Sequence, residues 1–353
     1  MKTQYITQND SVVFISQVIQ AASGMPSDDA QLWAKLLTDT SLLGFDTHGI
    51  RMVERYMDVL IKGGATLEKP EVVSCNGATA VIDAHNCMGH LAAWKAVEVS
   101  AENARKYGIA LTGVRNSGHF GACALYSKAL AERDFIGFSS TSSMPGIAPT
   151  GGLKPTVGIN PLSVAAPIEE GSFFLLDIST TVTAMGKVTM AMDNGKTIPL
   201  GWALDKNGKP TTDPKEVREG SLLPIGGYKG YGLAMAIELL CSALIGGSFA
   251  DQITGWTKQP ENPPKIPFSI IAIDIAHFQN PADFKARVKD WQRKVIDVPK
   301  QEGTDRIYYP GEKENENYKV RSKEGIPLEA VTVESFKRLA NKYSIKEPGF
   351  LEA

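Results

Sequence analysis

The stretch AVIDAHNCMGHLAAWKAVEVSAENARKYGIALTGVRNSGHFGACALYSKALAERDFIGFSS, residues 80–140, decides the fold class. It contains three short apolar runs of strand length, AVIDA, IALTGV and FIGFSS. Two longer segments with helical periodicity separate these runs, one after His90 and one after His119. Strands that alternate with helices indicate an α/β architecture. We therefore predict an α/β fold for the central part of the chain.

The flanking parts of the chain have a different pattern. Residues 27–62 have the periodicity of two amphipathic helices, and AVTVESFKRLANKYS at 330–344 is predicted to be helical as well. The apolar run FSIIAID at 268–274 adds a further strand to the central part. The segment GLAMAIELLCSALIGG at 232–247 is broken by Glu238 and is short for a bilayer, so we predict a buried helix there.

Composition indicates an ordinary globular protein and gives no sign of a nucleic-acid-binding or membrane-binding one. The chain has 353 residues, a formal net charge of −2 and an ordinary globular content of 43% hydrophobic residues. This near-neutral balance gives no electrostatic reason to expect a nucleic acid or a membrane as partner. The start, MKTQYITQND, has no uninterrupted apolar run and is not expected to be a secretory signal.

The cysteines and histidines argue against disulfides and metal sites. Four cysteines are far apart in the sequence, and no CxxC pair or HEXXH motif occurs. Scattered cysteines of this kind are typical of a reduced, cytoplasmic protein. The five histidines are scattered too, so no metal ligation is expected.

His119 in RNSGHFGA is the first candidate for chemistry, because it follows a predicted strand and precedes a predicted helix. Ligands of open α/β sheets gather at such strand ends. The dipole of the following helix disfavours an imidazolium, and Gly118 and Gly121 allow close approach of a ligand. Two interpretations remain open on these grounds: a general base held at a bend, or a histidine in an ordinary surface turn.

His48 in FDTHGIR is the second candidate. An arginine near a histidine in a loop can clamp a small carboxylate, because a guanidinium bonds to both oxygens. Arg51 would be that arginine. The alternative is a helix cap, in which Asp46 or Thr47 begins the second helix and the basic residues are solvated. The residues alone favour the cap.

The stretch PIGGYKGYGLAMAIELL at 224–240 places several glycines before a long apolar helix. Backbone N–H groups at such a helix start can face an anion, and Lys229 adds positive charge. The spacing matches neither a Walker A loop nor a Rossmann fingerprint. A phosphate-binding loop and a tight packing turn are equally compatible with it.

The end of the predicted strand FFLLDIS brings polar groups together at Asp177, Ser179 and Thr180. A carboxylate and hydroxyls at a strand end can bind the hydroxyls of a ribose or the amide of a nicotinamide. They can equally cap the next helix.

These stretches together resemble the malate/L-lactate dehydrogenase family that is unrelated to the Rossmann-type dehydrogenases. Its members include malate, sulfolactate and ureidoglycolate dehydrogenases, diketogulonate reductase and a cyclic ketimine reductase. The resemblance runs from about residue 10 to near the C-terminus. The stretches that carry it are DTHGIRMVERY, NSGHFGA, GINPLSVAAP, LLDISTT, GWALDKNGKPTTDP, LLPIGGYKGYGLAMAIELL and YYPGEKE.

The resemblance implies a role for particular residues. His119 would be the catalytic acid/base, and His48 would act beside it in the substrate pocket with Thr47, where serine is commoner. Several relatives have an arginine at the position of Met52, so Arg51 or Arg55 would bind the substrate carboxylate instead. The residues implied to contact the nicotinamide cofactor, NAD or NADP, are Ser143, Asp177, Ile178, Ser179, Lys229, Gly311 and Glu312.

The resemblance also implies an architecture and a reaction. A helical segment of residues 1–68, joined by 312–353, would pack on a non-Rossmann, mixed-sheet α/β domain of residues 69–311 that binds NAD(P), and the protein would be a homodimer. The expected reaction interconverts a small 2-hydroxy acid and its 2-oxo acid by hydride transfer, with malate as the leading substrate. Alternatives are ureidoglycolate, sulfolactate or lactate dehydrogenase, a cyclic ketimine reductase, and a dinucleotide-binding protein without turnover.

Overall fold

The computed structural model describes residues 4–352, which contain ten α-helices. The helices are α1 (Gln8–Ser23), α2 (Ser27–Leu42), α3 (Val53–Lys62), α4 (Gly89–Tyr107), α5 (Cys123–Ala131), α6 (Met185–Asp193), α7 (Tyr228–Cys241), α8 (Pro281–Ile296), α9 (Glu312–Glu324) and α10 (Ala330–Tyr343). The periodic segments of the sequence therefore correspond to helices, as predicted.

The strands of residues 4–352 form three sheets. They are β1 (Gln4–Ile6), β2 (Glu71–Asn76), β3 (Thr79–Asp83), β4 (Ile109–Ser117), β5 (Phe135–Thr141), β6 (Pro145–Ile147), β7 (Val157–Gly158), β8 (Leu162–Glu169), β9 (Ser172–Ile178), β10 (Ala203–Leu204), β11 (Pro210–Thr211), β12 (Ser221–Leu222), β13 (Ile266–Asp274), β14 (Ile326–Leu328) and β15 (Phe350–Glu352).

The central sheet has seven strands in the order β2-β3-β4-β13-β5-β8-β9. Only β3 and β4 are parallel neighbours, and every other adjacent pair is antiparallel. A Rossmann sheet is mostly parallel and doubly wound, so this mixed sheet is of a different type. The prediction of a mixed α/β fold is confirmed.

Strand directions place several loops at one edge of this sheet. Because β13 is antiparallel to both β4 and β5, the C-terminal ends of those two strands lie at the same edge. The pairings of β8 with β5 and β9 bring the C-terminal end of β9 to that edge as well. We call it the catalytic edge. The loop that leads into β13 also arrives there.

The two chain ends build one apolar cluster outside the sheet. It packs the first three helices against α10, and its large buried side chains include Trp33, Tyr56 and Phe336. The strand β1 lies within residues 1–68, which the resemblance implies to be helical, and it pairs with β14 and β15 from the other chain end. Three residues are too short a run for strand periodicity to show in the sequence.

The prediction of a buried helix at 232–247 holds for only one side of α7. One side of α7 packs on β5, β7 and β13, with Ala234 at the contact. The other side exposes apolar residues, and Leu239 is 63% exposed. By length and composition alone, the segment Tyr228–Ile245 could span a bilayer. Apolar composition indicated burial, but the rest of this chain does not supply a cover.

Candidate active site

The catalytic edge gathers residues from distant parts of the sequence. His119 follows β4, Ser143 follows β5, and Asp177 and Ile178 end β9. The strand order of the mixed sheet therefore places a histidine, a hydroxyl and a carboxylate at the same edge. These are three of the positions to which the sequence had assigned chemistry.

Glycines allow the bend at His119 to pack tightly on the start of α4. A Cβ atom at Gly89 would lie 2.2 Å from the carbonyl oxygen of Gly118 and 2.7 Å from that of His119. Gly121 has a φ of +83°, which is costly for other residues. The backbone of the bend is thus held against α4, and His119 has a fixed place at the edge.

The His119 side chain lies among aromatic groups. Tyr56 Oη is 2.8 Å from His119 Nδ1, and the backbone nitrogen of Gly121 is 3.3 Å from the same ring nitrogen. The Trp256 ring stacks on the imidazole with 4.7 Å between ring centroids. His48 stacks nearby, with a centroid distance of 5.8 Å. The interpretation of His119 as an ordinary surface turn residue is therefore wrong.

The surroundings keep His119 neutral. Burial lowers the pKa of its imidazole well below the ordinary value, and charges on His48 and His90 would lower that pKa further. The sequence pointed to the same outcome through the dipole of the following helix, but removal from water is the larger cause. A neutral imidazole is the form that can accept a proton.

His48 lies beside His119. The neighbouring residues Asp46 and Thr47 do not form the helix cap that the sequence alone favoured. His48 Nδ1 is 2.9 Å from Thr47 Oγ1, and burial lowers the pKa of this histidine. The Asp46 carboxylate makes two hydrogen bonds to Arg321 of α9, at 2.6 and 3.1 Å, and neither Asp46 nor Thr47 caps the helical turn that follows. The cap interpretation is wrong.

The two candidate arginines occupy different environments. The Arg51 guanidinium is 2.9 Å from the Glu329 carboxylate at the start of α10, so it has a partner away from His119. Arg55 is exposed and lies next to Tyr56, whose pKa is raised by burial, an effect that the Arg55 charge offsets only in part. Met52 packs against the apolar cluster of the chain ends. Among these three, only Arg55 is a cation without an ion pair.

Ser143 is held by hydrogen bonds to the loop that precedes β8. Its backbone N–H donates to Asn160 Oδ1 over 3.0 Å, and its hydroxyl accepts from the Ile159 N–H over 2.9 Å. The Thr180 N–H donates to the Ile159 carbonyl oxygen over 3.0 Å. Ser143 is therefore linked through Ile159 to the segment after Asp177.

Asp177 caps α5 and not the next helix along the chain, α6. Its carboxylate accepts from the Ala124 N–H over 3.1 Å at the start of α5, whereas α6 has no side-chain cap. Burial raises the pKa of Asp177 to about 7. Ser179 Oγ is 3.0 Å from Thr181 Oγ1 and does not cap α6 either. Asp177 is thus a partly buried carboxyl group at a helix N-terminus of the catalytic edge.

Substitution of Asp177 by Asn should change how stability depends on pH. The pKa of Asp177 is raised from 3.8 to about 7 in the folded protein, so between those values the native state holds a proton that the unfolded chain has released. Stability then falls as pH rises through this window, by at most about 1.4 kcal/mol per pH unit from this group. Asp177→Asn should flatten that slope, as measured by urea unfolding from pH 4 to 7.5. Equal slopes in both proteins would contradict the assignment.

The glycine-rich start of α7 packs tightly against its own backbone and the segment after β9. Gly226 and Gly227 have φ values of +58° and +64°, and the Ile225 N–H donates to the Thr180 carbonyl oxygen over 2.9 Å. A Cβ on Gly230 would lie 2.3 Å from the carbonyl oxygen of Ile225, so this glycine serves tight packing. Lys229 is exposed at the helix start.

Gly311 and Glu312 lie against β9. Gly311 has a φ of +94°, and a Cβ there would be 2.6 Å from the backbone nitrogen of Leu175, two residues before Asp177. The Glu312 carboxylate accepts from the Tyr309 N–H over 3.2 Å and pairs with Arg306. The loop thus approaches the strand that carries Asp177.

Two residues of the site, Tyr56 and Trp256, are not among those predicted from the sequence. Tyr56 was one apolar position among several on the second predicted helix, and nothing local marks its hydroxyl as a partner of His119. Trp256 lies in the loop before β13 and stacks on both Tyr56 and His119. A large aromatic residue in a glycine- and proline-rich loop was the available signal.

Comparison with known proteins identifies the group to which this site belongs. The sequence model of the malate/L-lactate dehydrogenase family matches residues 6–337. The chain belongs to this family. A malate/(S)-sulfolactate dehydrogenase of Methanothermus fervidus is 34% identical over 92% of this chain and 94% of its own. A ureidoglycolate dehydrogenase (NAD(+)) of Escherichia coli K12 is 33% identical over 87% of each chain.

Solved structures agree with the sequence comparison. The crystal structure of malate dehydrogenase from Entamoeba histolytica superposes with a TM-score of 0.93 and 31% identity, covering 99% of this chain and 100% of the other. The protein is therefore a hydroxy acid dehydrogenase, which is an oxidoreductase. Dehydrogenases of the family use NAD or NADP, and relatives named for each cofactor match this chain.

Proposed function

We propose that this dehydrogenase interconverts a small 2-hydroxy acid and its 2-oxo acid, with malate and oxaloacetate as the leading pair. One observation carries the proposal: His119 is a neutral imidazole at the catalytic edge, with Nδ1 engaged by Tyr56. A positioned base of this kind contributes about 10²–10⁴-fold to a proton transfer. Malate and sulfolactate stand in the name of the Methanothermus relative.

Proton transfer is assigned to Nε2 of His119. Tyr56 Oη lies 2.8 Å from Nδ1 and accepts the ring N–H there, so Nε2 is the unprotonated nitrogen that remains for the substrate. In oxidation, Nε2 accepts the proton of the substrate hydroxyl, and the Nδ1–H of the resulting imidazolium is donated to Tyr56 Oη. In reduction, the imidazolium returns that proton to the carbonyl oxygen. The nicotinamide cofactor supplies or takes up the hydride when it is bound.

The residues of the catalytic edge fit a dinucleotide. A Cβ on Gly227 would meet no atom within 4 Å, so the start of α7 is open, and its free N–H groups with Lys229 suit a phosphate. Ser143, the Asp177–Ser179 segment and the Gly311–Glu312 loop would hold the remainder. Asp177 and Ser179 offer the polar groups that ribose or a carboxamide needs. The assay that identifies the substrate also tests whether the enzyme prefers NAD or NADP.

His48, Thr47 and Arg55 are proposed to bind the substrate. Arg55 is favoured over Arg51 for the carboxylate because Arg51 is paired with Glu329 at 2.9 Å. Met52 offers no charge at the position where several relatives have arginine. If the clamp is absent, a cyclic ketimine is the second candidate substrate, because His119 can manage a proton on nitrogen as it does on oxygen.

The experiment that tests this function is an absorbance assay at the reduced-nicotinamide band. Purified protein is mixed with NADH or NADPH and a panel of oxaloacetate, pyruvate, 3-sulfopyruvate and cyclic ketimines, and with ureidoglycolate and NAD+ or NADP+ in the oxidative direction. Cofactor oxidation with oxaloacetate as the best substrate is the expected result. Turnover of ketimines alone would replace the hydroxy acid proposal. Absence of turnover with every pair would contradict both.

A homodimer, formed through the apolar side of α7, is proposed as the working state. Leu239 of α7 and Leu244 of the short helical turn that follows it are 63% and 61% exposed in the single chain, an arrangement that a soluble monomer disfavours. Because α7 begins at the catalytic edge, a partner subunit there would help to close the site. A second copy of the chain can cover the apolar side of α7 without any other kind of partner.

Sedimentation velocity tests the dimer. Wild-type protein should sediment with twice the chain mass of 38.1 kDa, and the double variant Leu239→Lys, Leu244→Lys should sediment as a monomer. Phe278→Lys is the matched control, because Phe278 is 73% exposed but follows β13 at the opposite edge of the sheet. A monomeric wild type, or a dimeric double variant, would overturn the proposed interface.

The remaining assignments follow from the same organisation. We propose a helical unit of residues 1–68 with 312–353 and a cofactor-binding unit of residues 69–311, in line with the separate apolar clusters of the chain ends and the sheet. A cytoplasmic location is supported by four free cysteines, three of them buried.

A further inference from the structure

Glu238 is a buried carboxylate in the middle of α7 that the proposed reaction does not use. It is 9% exposed, and none of the ion pairs among residues 4–351 includes it. Burial of a charge without compensation is costly. Compensation comes from two hydrogen bonds: the Ala250 N–H donates to Oε1 over 2.8 Å, and Asn160 Nδ2 donates to Oε2 over 3.1 Å.

One of these hydrogen bonds leads directly to Ser143. Asn160 is fully buried, and its Nδ2 also donates to the Ala234 carbonyl oxygen over 2.9 Å. Its Oδ1 accepts from the Ser143 N–H over 3.0 Å. Both ends of the Asn160 amide are therefore in use, and its orientation is fixed. A continuous hydrogen-bond network connects Glu238 to Ser143.

The other hydrogen bond leads toward the substrate side. Ala250 begins the short helical turn Ala250–Gln252, and the loop after this turn carries Trp256. The Trp256 ring stacks on His119 at 4.7 Å. One carboxylate on α7 is thus bonded both to the segment of Ser143 and to the loop that covers His119.

We propose that Glu238 is a positioning residue that sets the backbone at Ser143 for the nicotinamide cofactor. This inference rests on the proposed function, since Ser143 is taken as a cofactor contact. The two donors that face Glu238, a backbone N–H and an amide Nδ2, require two acceptor oxygens. A carboxylate provides both, whereas a glutamine of the same shape provides one acceptor and one donor.

Glu238→Gln tests the proposal with minimal change of volume. The glutamine oxygen should face the Ala250 N–H, which makes the shorter bond and cannot turn away. Its NH₂ group then faces Asn160 Nδ2, donor against donor, and displaces the amide that holds Ser143. We expect NADH or NADPH, whichever the wild type prefers, to bind about tenfold more weakly by nicotinamide fluorescence. The substrate KM at saturating cofactor should stay within twofold.

Ser100→Ala is the matched control for a general loss of stability. Ser100 Oγ of α4 makes a buried hydrogen bond over 2.8 Å to Thr112 Oγ1 of β4, where the helix packs on the sheet away from the catalytic edge. Ser100→Ala should lower Tm about as much as Glu238→Gln does and should leave the cofactor Kd unchanged. If both variants weaken cofactor binding equally, or Glu238→Gln binds like wild type, Glu238 is not a positioning residue.

A second variant approaches the same network from its other end. Asn160→Asp keeps an acceptor for the Ser143 N–H but places an oxygen against Glu238 Oε2 and the Ala234 carbonyl. If Glu238→Gln fails to fold, Asn160→Asp should show the same tenfold weakening, and an unchanged Kd overturns the proposal. A wild type that neither binds nor turns over NAD(P)H contradicts the proposed function instead, so the two failures are distinguishable.

Discussion

His119→Asn is expected to lower kcat by about 10²–10⁴-fold, while NADH or NADPH binds as tightly as to the wild type. The substitution removes the nitrogen that accepts the substrate proton but retains a small polar side chain at the bend. Because His119 lies beside the proposed cofactor contacts and not among them, nicotinamide fluorescence should report an unchanged Kd. Loss of turnover with intact binding separates a catalytic group from a structural one.

The pH profile of the wild type provides an independent check on His119. Oxidation requires the neutral imidazole, so kcat/KM should fall only where pH drops below its pKa. Burial lowers that pKa below the ordinary value of 6.5, and the acid limb should therefore lie below pH 6.5. His277→Asn is the control, because His277 pairs with Asp274 at the opposite edge of the sheet and should not alter the profile. A His119→Asn variant with near-normal kcat would contradict the assignment.

Local periodicity was sufficient to predict the α/β pattern but not the order of the strands. The runs at 80–84, 109–114 and 135–140 each form a strand, because a short apolar run of five or six residues is a local property of the sequence. The insertion of β13 between β4 and β5 joins segments more than 120 residues apart, with Phe268 opposite Thr141. No local signal specifies such a pairing, and the mixed character of the sheet depends on it.

The site was predictable where a backbone feature marks it and not where a side chain arrives from afar. Glycines around His119 signal an unusual bend, so this residue could be identified from sequence. Tyr56 reaches it from a helix in the cluster of the chain ends, and Trp256 reaches it from a loop before β13. The composition of α7 indicated that it is covered, but composition cannot distinguish cover by its own chain from cover by a second copy.

Tyr56→Phe isolates the hydroxyl that contacts His119. The ring packs on Trp33 and Trp256 with centroid distances of 5.9 and 5.4 Å, and phenylalanine preserves these contacts. Only the 2.8 Å contact between Oη and Nδ1 is lost. A hydrogen bond to a charged group is worth about 1.5–3 kcal/mol, so kcat should fall by about 10- to 100-fold. Burial raises the pKa of the phenol, which stays protonated throughout the working range.

The direction of the reaction distinguishes a positioning role for Tyr56 from a structural one. Tyr56 Oη accepts the Nδ1–H of the imidazolium, so its loss destabilises the charged form and lowers the pKa of His119 further. The kcat of reduction, which starts from the imidazolium, should therefore fall more than the kcat of oxidation. The acid limb of oxidation should move to lower pH. Tyr126→Phe is the matched control, because it removes a buried hydroxyl that donates to the Phe120 carbonyl oxygen. Equal losses in both directions with an unmoved acid limb, as expected of that control, would reduce Tyr56 to a packing residue.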